Sequence, residues 1–158
     1  METAPVTSAT LDVANRQIPH RLSVIGSVSS AEEAAAARRV AVSALIKSIV
    51  IRRSEDHYLF VLVPGDRAID WSKLRAELGV SRLSLPSADE AFAVTGYVRG
   101  TITPFGSSTA WPVVMDERLV DLEEVTIGGG GGGIGIHLDP AALVTAFAAQ
   151  VADITKTV

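Results

Sequence analysis

Residues 43–53, SALIKSIVIRR, constrain the fold more than any other stretch of this chain. On a strand, Leu45, Lys47, Ile49 and Ile51 share one face, and Ala44, Ile46, Ser48 and Val50 share the other. Both faces are otherwise apolar as far as Ile51, the pattern of a central strand covered on both sides. Lys47 interrupts it. Burying an unpaired ammonium costs several kcal/mol or depresses its pKa by up to about 3 to 5 units. Either Lys47 snorkels to the rim of the sheet or pairs with an acid such as Asp66 or Asp116, or it faces a ligand. Spacing alone does not separate these readings.

Around that strand, helix and strand signals alternate with short punctuation, which predicts an α/β or α+β domain. SSAEEAAAARR opens with Ser30 and Glu33 at capping-box spacing. DWSKLRAELG runs from an Asp70 cap to Gly79, and SADEAFAVTG repeats the logic with Ser87, Glu90 and Gly96. DPAALVTAFAAQVADI is expected to be a helix opened by Asp139 and Pro140. Short β-branched runs lie between: RLSVI, ALIKSIVIRR, YLFVLV, WPVVM, EVTI and IGIHL, the first two being candidates for pairing.

With 158 residues, 47 % of them hydrophobic, the chain supports one core: a domain over residues 11–158 after a flexible stretch at 1–10. There is no run of about 20 uncharged apolar residues and no secretory pattern at the start, so a cytoplasmic protein without a membrane partner is expected. No cysteine is present, which excludes disulfides and thiolate chemistry. The three histidines, His20, His57 and His137, have no metal-ligand spacing, so no metal or other cofactor is expected. A net charge of −4 argues against DNA and leaves any polyanion to local arginines: Arg38, Arg39, Arg52, Arg53, Arg75 and Arg82.

GGGGGG at 128–133 is followed by Ile134-Gly135, not by the Lys and Ser or Thr of a phosphate-binding loop, and IGIHL alternates like a strand. A hairpin connection is the favoured reading, mobile or passing close to something bulky. In TGYVRGTITPFG, residues 95–106, Gly96 and Gly100 permit tight turns and Pro104 stiffens an extended one. The stretch is an ordinary turn-rich connection, or its amides near Gly100 and Thr101 face a bound carbonyl or phosphate. Thr95, Thr103, Ser107, Ser108 and Thr109 supply hydroxyls with no evident histidine base, which weakens a serine-hydrolase reading.

Taken in order, Lys47-Ser48, YLFVLVPGDRAIDWSKLRAELG, TGYVRGTITPFG, Asp116 after WPVVM, and a glycine-rich turn before IGIHLDPAAL resemble the YbaK/EbsC family of aminoacyl-tRNA deacylases. That family is related to the editing insertion of bacterial prolyl-tRNA synthetases. The resemblance covers about residues 18–155 and implies one α+β domain with a curved mixed sheet flanked by helices. It implies hydrolysis of mischarged tRNA, that for proline carrying Cys, Ala, Ser or Thr, with a prolyl-tRNA synthetase or an elongation factor as a further partner. The acceptor end would meet Lys47, Gly100 and Thr101 as catalytic residues, with the terminal ribose hydroxyl assisting. Ile25, Ser48, Thr95, Gly96, Thr103, Pro104, Phe105, Gly106 and Gly135 would bind the substrate. Thr101 replaces a glycine common in the family, Ile25 an aromatic residue and Gly135 an acidic one, and glycines replace basic residues of the turn. A catalytically silent member that binds an aminoacyl-nucleotide or a protein is the alternative implied by those departures.

Overall fold

Tyr58–Pro64 is the longest apolar run, and every one of its residues is buried in strand β3 (His57–Pro64). The computed structural model describes residues 5–158. Along β3 the side chains alternate between two cores: Tyr58, Phe60 and Leu62 join one cluster, and Leu59, Val61 and Val63 join another. The central strand is therefore β3. The preceding strand β2 (Ile46–Ser54) pairs with it antiparallel from Ile46↔Pro64 to Ser54↔His57 and forms the edge of a four-stranded sheet. SALIKSIVIRR was expected at the centre; its faces do supply Ile46 and Val50 to one core and Ile51 to the other, but it has a sheet neighbour on one side only. The edge position leaves Lys47, Ser48 and Ile49 half-buried.

The sheet continues from β3 to β5 (Val113–Asp116) and β8 (Gln150–Ala152), both in parallel register. A second, antiparallel sheet has the order β1 (Arg21–Val24), β7 (Ile134–Leu138), β6 (Val125–Gly128). The expected pairing of RLSVI with ALIKSIVIRR is not formed; β1 pairs with β7, Leu22 opposite Ile136. A single parallel bridge, Leu45↔Thr126, joins the two sheets just before Lys47. A short ribbon of β4 (Arg67–Ile69) and β9 (Thr155–Thr157) completes the strands. The whole is an α+β domain, its sheet mixed and divided into three hydrogen-bonded parts.

Among the described residues five α-helices surround the strands: α1 (Ser8–Asn15), α2 (Ala31–Arg38), α3 (Trp71–Leu78), α4 (Ala88–Thr95) and α5 (Pro140–Phe147). Ser30, Asp70, Ser87 and Asp139 cap the last four, each accepting from an amide inside the first turn, but the expected boxes do not close: Glu33 accepts from the Ser29 amide and Glu90 from the Tyr58 hydroxyl. The alanines of α2 let it lie close: Ala34 and Ala35 pack on Leu45, which brings the start of α2 beside the start of β2. Helix α5 is half as long as expected. It stops at Ala148, which takes a left-handed conformation (φ 47°), and residues 150–152 then pair as β8 instead of continuing the helix. Of the stretch expected to be flexible, residues 1–4 lie outside the described residues, while Ser8–Thr10 form the first turn of α1 with Ala9 fully buried. Among the described residues no helix is long and apolar enough to cross a membrane.

The glycine run forms the hairpin between β6 and β7, and its loop is packed against other segments. The Thr7 hydroxyl donates to Gly129 O at 2.6 Å. A Cβ on Gly130 would lie 2.9 Å from the Tyr97 ring, and one on Gly133 only 2.2 Å from Ile25 O. Gly133 also has φ 76°, so it needs both the missing side chain and the left-handed backbone. At Gly132 an added Cβ has no neighbour within 4 Å. Gly133→Ala is expected to lose about 1 to 3 kcal/mol in urea unfolding and Gly132→Ala less than about 0.5. Equal effects would show that the contact with Ile25 does not hold the loop.

Candidate functional site

The edge position of β2 and the close approach of α2 leave a cleft of about 420 Å³, walled by the first residues of both elements, the Gly100 turn and the glycine hairpin. Lys47 and Ser48 enter it from β2, Arg38 from the end of α2, Ile25 from beyond β1, and Gly100 and Gly133 from the turns. The Lys47 ammonium donates to Arg67 O at 2.5 Å. Among the described residues no carboxylate forms an ion pair with it. Asp66 is exposed, and the buried Asp116 is committed to Arg118 at 3.2 Å and to the Thr155 hydroxyl at 3.0 Å. Burial pushes the Lys47 pKa below the usual lysine value, opposed by the more distant charges of Asp66 and Glu32. Of the three readings of the lysine, pairing with Asp116 or Asp66 is not formed; the ammonium reaches past the edge strand into a cleft and rests on one carbonyl.

Ser48 reaches the cleft with its hydroxyl oxygen buried and without a hydrogen-bond partner. Gly100 lies at the third position of a turn closed by Thr101 N–H donating to Val98 O at 3.0 Å, and its φ of 93° requires glycine there. The Thr101 hydroxyl donates to the same carbonyl at 2.8 Å. Its amide, read from the sequence as an oxyanion donor, is therefore already engaged, and Gly100 alone of that pair lines the cleft.

The remaining sequence-predicted residues lie elsewhere. Thr95 is buried and turns its hydroxyl back to Ala91 O at 2.7 Å, and Gly96 caps α4 with φ 82°. Thr103 and Phe105 are fully buried, Phe105 edge-to-face on Phe147. Pro104 and Gly106 line a different concavity beside α1, where Gly106 N–H donates to Asp12 at 2.8 Å. Gly135 lies under the Arg38 guanidinium, not in the cleft lining. Arg38 is the cleft residue that sequence reading did not place there. It entered only as one of six arginines for a polyanion, because nothing local shows that α2 ends above β7.

Two larger concavities lie elsewhere on the protein. One of about 700 Å³ lies between α1 and α5, but its charged residues Arg16 and Asp12 pair with each other at 3.0 Å. Another of about 490 Å³ is walled by Arg52, Arg53, Arg75 and Arg82, of which Arg53 is bonded to Leu78 O and Arg75 to the Ser72 hydroxyl. The Lys47 cleft combines an ammonium, a guanidinium, an unpartnered hydroxyl and a glycine turn without a lining carboxylate. The contact between Ser23 and His137 at 2.8 Å, with Glu124 at 3.7 Å on the other ring nitrogen, involves a buried histidine and lies outside the cleft lining. Among the described residues no three His, Asp or Glu side chains gather to hold a metal. What the cleft can do is hold an oxygen-rich group and stabilise negative charge on it.

Residues 26–146 match the family described as the aminoacyl-tRNA editing domain. The EbsC protein of Enterococcus faecalis, named as a candidate Cys-tRNA(Pro)/Cys-tRNA(Cys) deacylase, is 25 % identical over 126 residues, 80 % of this chain and 77 % of that protein. A proline–tRNA ligase of Thermosipho africanus is 29 % identical over 102 residues, 65 % of this chain but 18 % of the ligase. The crystal structure of a candidate trans-editing enzyme for prolyl tRNA synthetase superposes with a TM-score of 0.86 at 27 % identity, over 97 % of this chain and 99 % of that one. The fold, the cleft and these matches lead to one conclusion: the chain belongs to the aminoacyl-tRNA editing domain family.

Proposed function

We propose that this chain is a trans-editing aminoacyl-tRNA deacylase that hydrolyses the ester of mischarged tRNA, with tRNA for proline carrying Cys, Ala, Ser or Thr as its substrates. The observation that carries the reading is the Lys47 ammonium, held in the cleft by a carbonyl and by no carboxylate. A cation with donors to spare fits a substrate oxygen. The EbsC relative and the trans-editing structure support the reaction class, and the proline–tRNA ligases support the tRNA.

An aminoacyl ester is already activated, so positioning water and stabilising the oxyanion supply most of what hydrolysis needs. Water adds to the ester carbonyl, the ribose oxygen leaves with a proton, and free amino acid and tRNA result. In this scheme Lys47 holds a phosphate or carbonyl oxygen of the acceptor end, the neighbouring ribose hydroxyl orients the water, and the Gly100 backbone faces the developing oxyanion. Such an enzyme removes small amino acids that a synthetase's own binding step rejects by only about 10². With a net charge of −4 the chain is a weak partner for tRNA on its own, and delivery by a prolyl-tRNA synthetase or an elongation factor suits it. The engaged Thr101 amide favours the second reading, a silent member that binds an aminoacyl-nucleotide or a protein without turning it over.

Deacylation of tRNA charged with alanine, cysteine, serine, threonine or proline separates the two readings. Turnover of at least one above the spontaneous rate is expected, and Lys47→Met should lower it by 10² or more. The same variant should stay within about 1 kcal/mol of the parent stability, because it removes one hydrogen bond to Arg67 O together with a partly desolvated ammonium. A flat panel would refute the deacylase reading, and normal turnover by Lys47→Met would refute the role given to Lys47. Thr101→Gly tests the turn: since the Thr101 side chain closes on Val98 O, the order of preference in the panel should be unchanged. A shift toward larger aminoacyl groups would place Thr101 in the pocket after all.

A further inference from the structure

Arg38 is the last residue of α2, and its guanidinium lies directly on the backbone of β7. A Cβ built on Gly135 would meet Arg38 Nε and the Ser23 hydroxyl at 2.8 Å each and Arg38 Cζ at 2.9 Å, so the arginine and Ser23 together occupy the space that any side chain at 135 would fill. In that position the arginine is poorly bonded. Nη1 and Nη2 make contacts of 3.4 Å to the Thr126 hydroxyl and to Ile134 O, and Nε is buried with no partner. A guanidinium has five N–H donors in a planar fork, and two bonds at the limit of length leave most of them unused.

No acid answers it. Among the described residues, Arg38 belongs to no ion pair and no carboxylate lines its cleft. Glu33 turns away to the Ser29 amide and hydroxyl at 2.8 and 3.1 Å, and Glu124 is bonded to Arg21 at 2.7 Å. His137, on the same strand as Gly135, is bonded to Ser23 and held below the usual histidine pKa by burial, and an imidazole in either protonation state supplies no negative charge to the guanidinium. Arg38 and Lys47 thus share one cleft of about 420 Å³ as two cations without an anion.

We propose that Arg38 is a substrate-binding residue that receives an oxyanion of the ligand, and that Gly135 is the position that admits it. The oxyanion is a phosphate of the acceptor end or a carboxylate on the aminoacyl side chain; a planar fork pairs bidentately with either. The proposal rests on the reading of the cleft as the acceptor-end site. It gives the glycine at 135 a role in selection: with no side chain there, the guanidinium lies on β7 and presents positive charge to the ligand.

The test measures calorimetric binding of four stable 3′-amide analogues of aminoacyl-adenosine, asparaginyl and aspartyl, each with and without a 5′-phosphate. Arg38→Gln should weaken either the phosphorylated pair or the aspartyl pair by about 10-fold or more and leave the neutral analogue within about twofold. Loss on the phosphorylated pair assigns the phosphate, and loss on the aspartyl pair assigns the carboxylate. Gly135→Ala, which displaces the end of a flexible side chain, should reproduce the pattern, and Arg38→Lys should restore part of the affinity. Equal weakening of all four analogues, or none, overturns the proposal. If no analogue binds the parent protein the proposal also falls, while turnover on whole charged tRNA still decides the deacylase reading independently.

Discussion

The Lys47 ammonium is held by one peptide carbonyl, and the arrangement of the cleft depends on that contact. A carboxylate partner would have neutralised the charge and closed the site to an anionic ligand. Arg67 O instead fixes the position of the ammonium and leaves its charge and two of its three donors for something else. The contact is possible because Lys47 begins an edge strand. At the edge a long side chain reaches past the sheet to the β4 ribbon while its stem still covers apolar neighbours. In the centre, where β3 runs, every residue from Tyr58 to Pro64 is buried and an ammonium would have no exit.

The scaffold supplies the rest through close approach. Alanines on α2 bring its N-terminal turn to the mouth of the cleft, and Arg38 at its other end reaches across to β7 because position 135 has no side chain. Gly133 admits the Ile25 carbonyl, and Gly100 supports a turn that other residues could not make without strain. Glycine and alanine thus do at this site what bulky side chains do in the core: they set how near two segments come. The outcome is a cleft rich in donors and, among the described residues, free of lining acids, suited to an oxygen-rich ligand and to charge developing on it.

Much of this was legible in the residues. Caps at Ser30, Asp70, Ser87 and Asp139 mark helix starts because a short polar side chain before an apolar run has a local cause. Helix ends were legible where glycine marks them, at Gly79 and Gly96, and not at Ala148, where a non-glycine residue takes the left-handed conformation and nothing in the string announces it. Strand order was not legible, since an apolar face says that it is covered but not by which neighbour; RLSVI and ALIKSIVIRR ended in different sheets. In the site, Lys47 stood out as a charge in an apolar strand, whereas Thr95, Thr103 and Phe105 were drawn in by proximity along the chain and pack elsewhere. Arg38 joins Lys47 in the cleft only through the fold, which lays its guanidinium on Gly135, 97 positions away in the chain.

The central claim is that the acceptor end binds in the Lys47 cleft. The most direct measurement is a map of backbone amide shifts by NMR while a stable 3′-alanylamido-adenosine 5′-phosphate is added to the isotopically labelled protein. The account predicts saturable shifts centred on Lys47, Ser48, Gly100 and Gly133, with Trp111 and Arg82, at the two other concavities, unaffected. Shifts centred on Trp111 and Phe147, or on Arg82 and Arg53, with Lys47 and Gly100 silent, would contradict it.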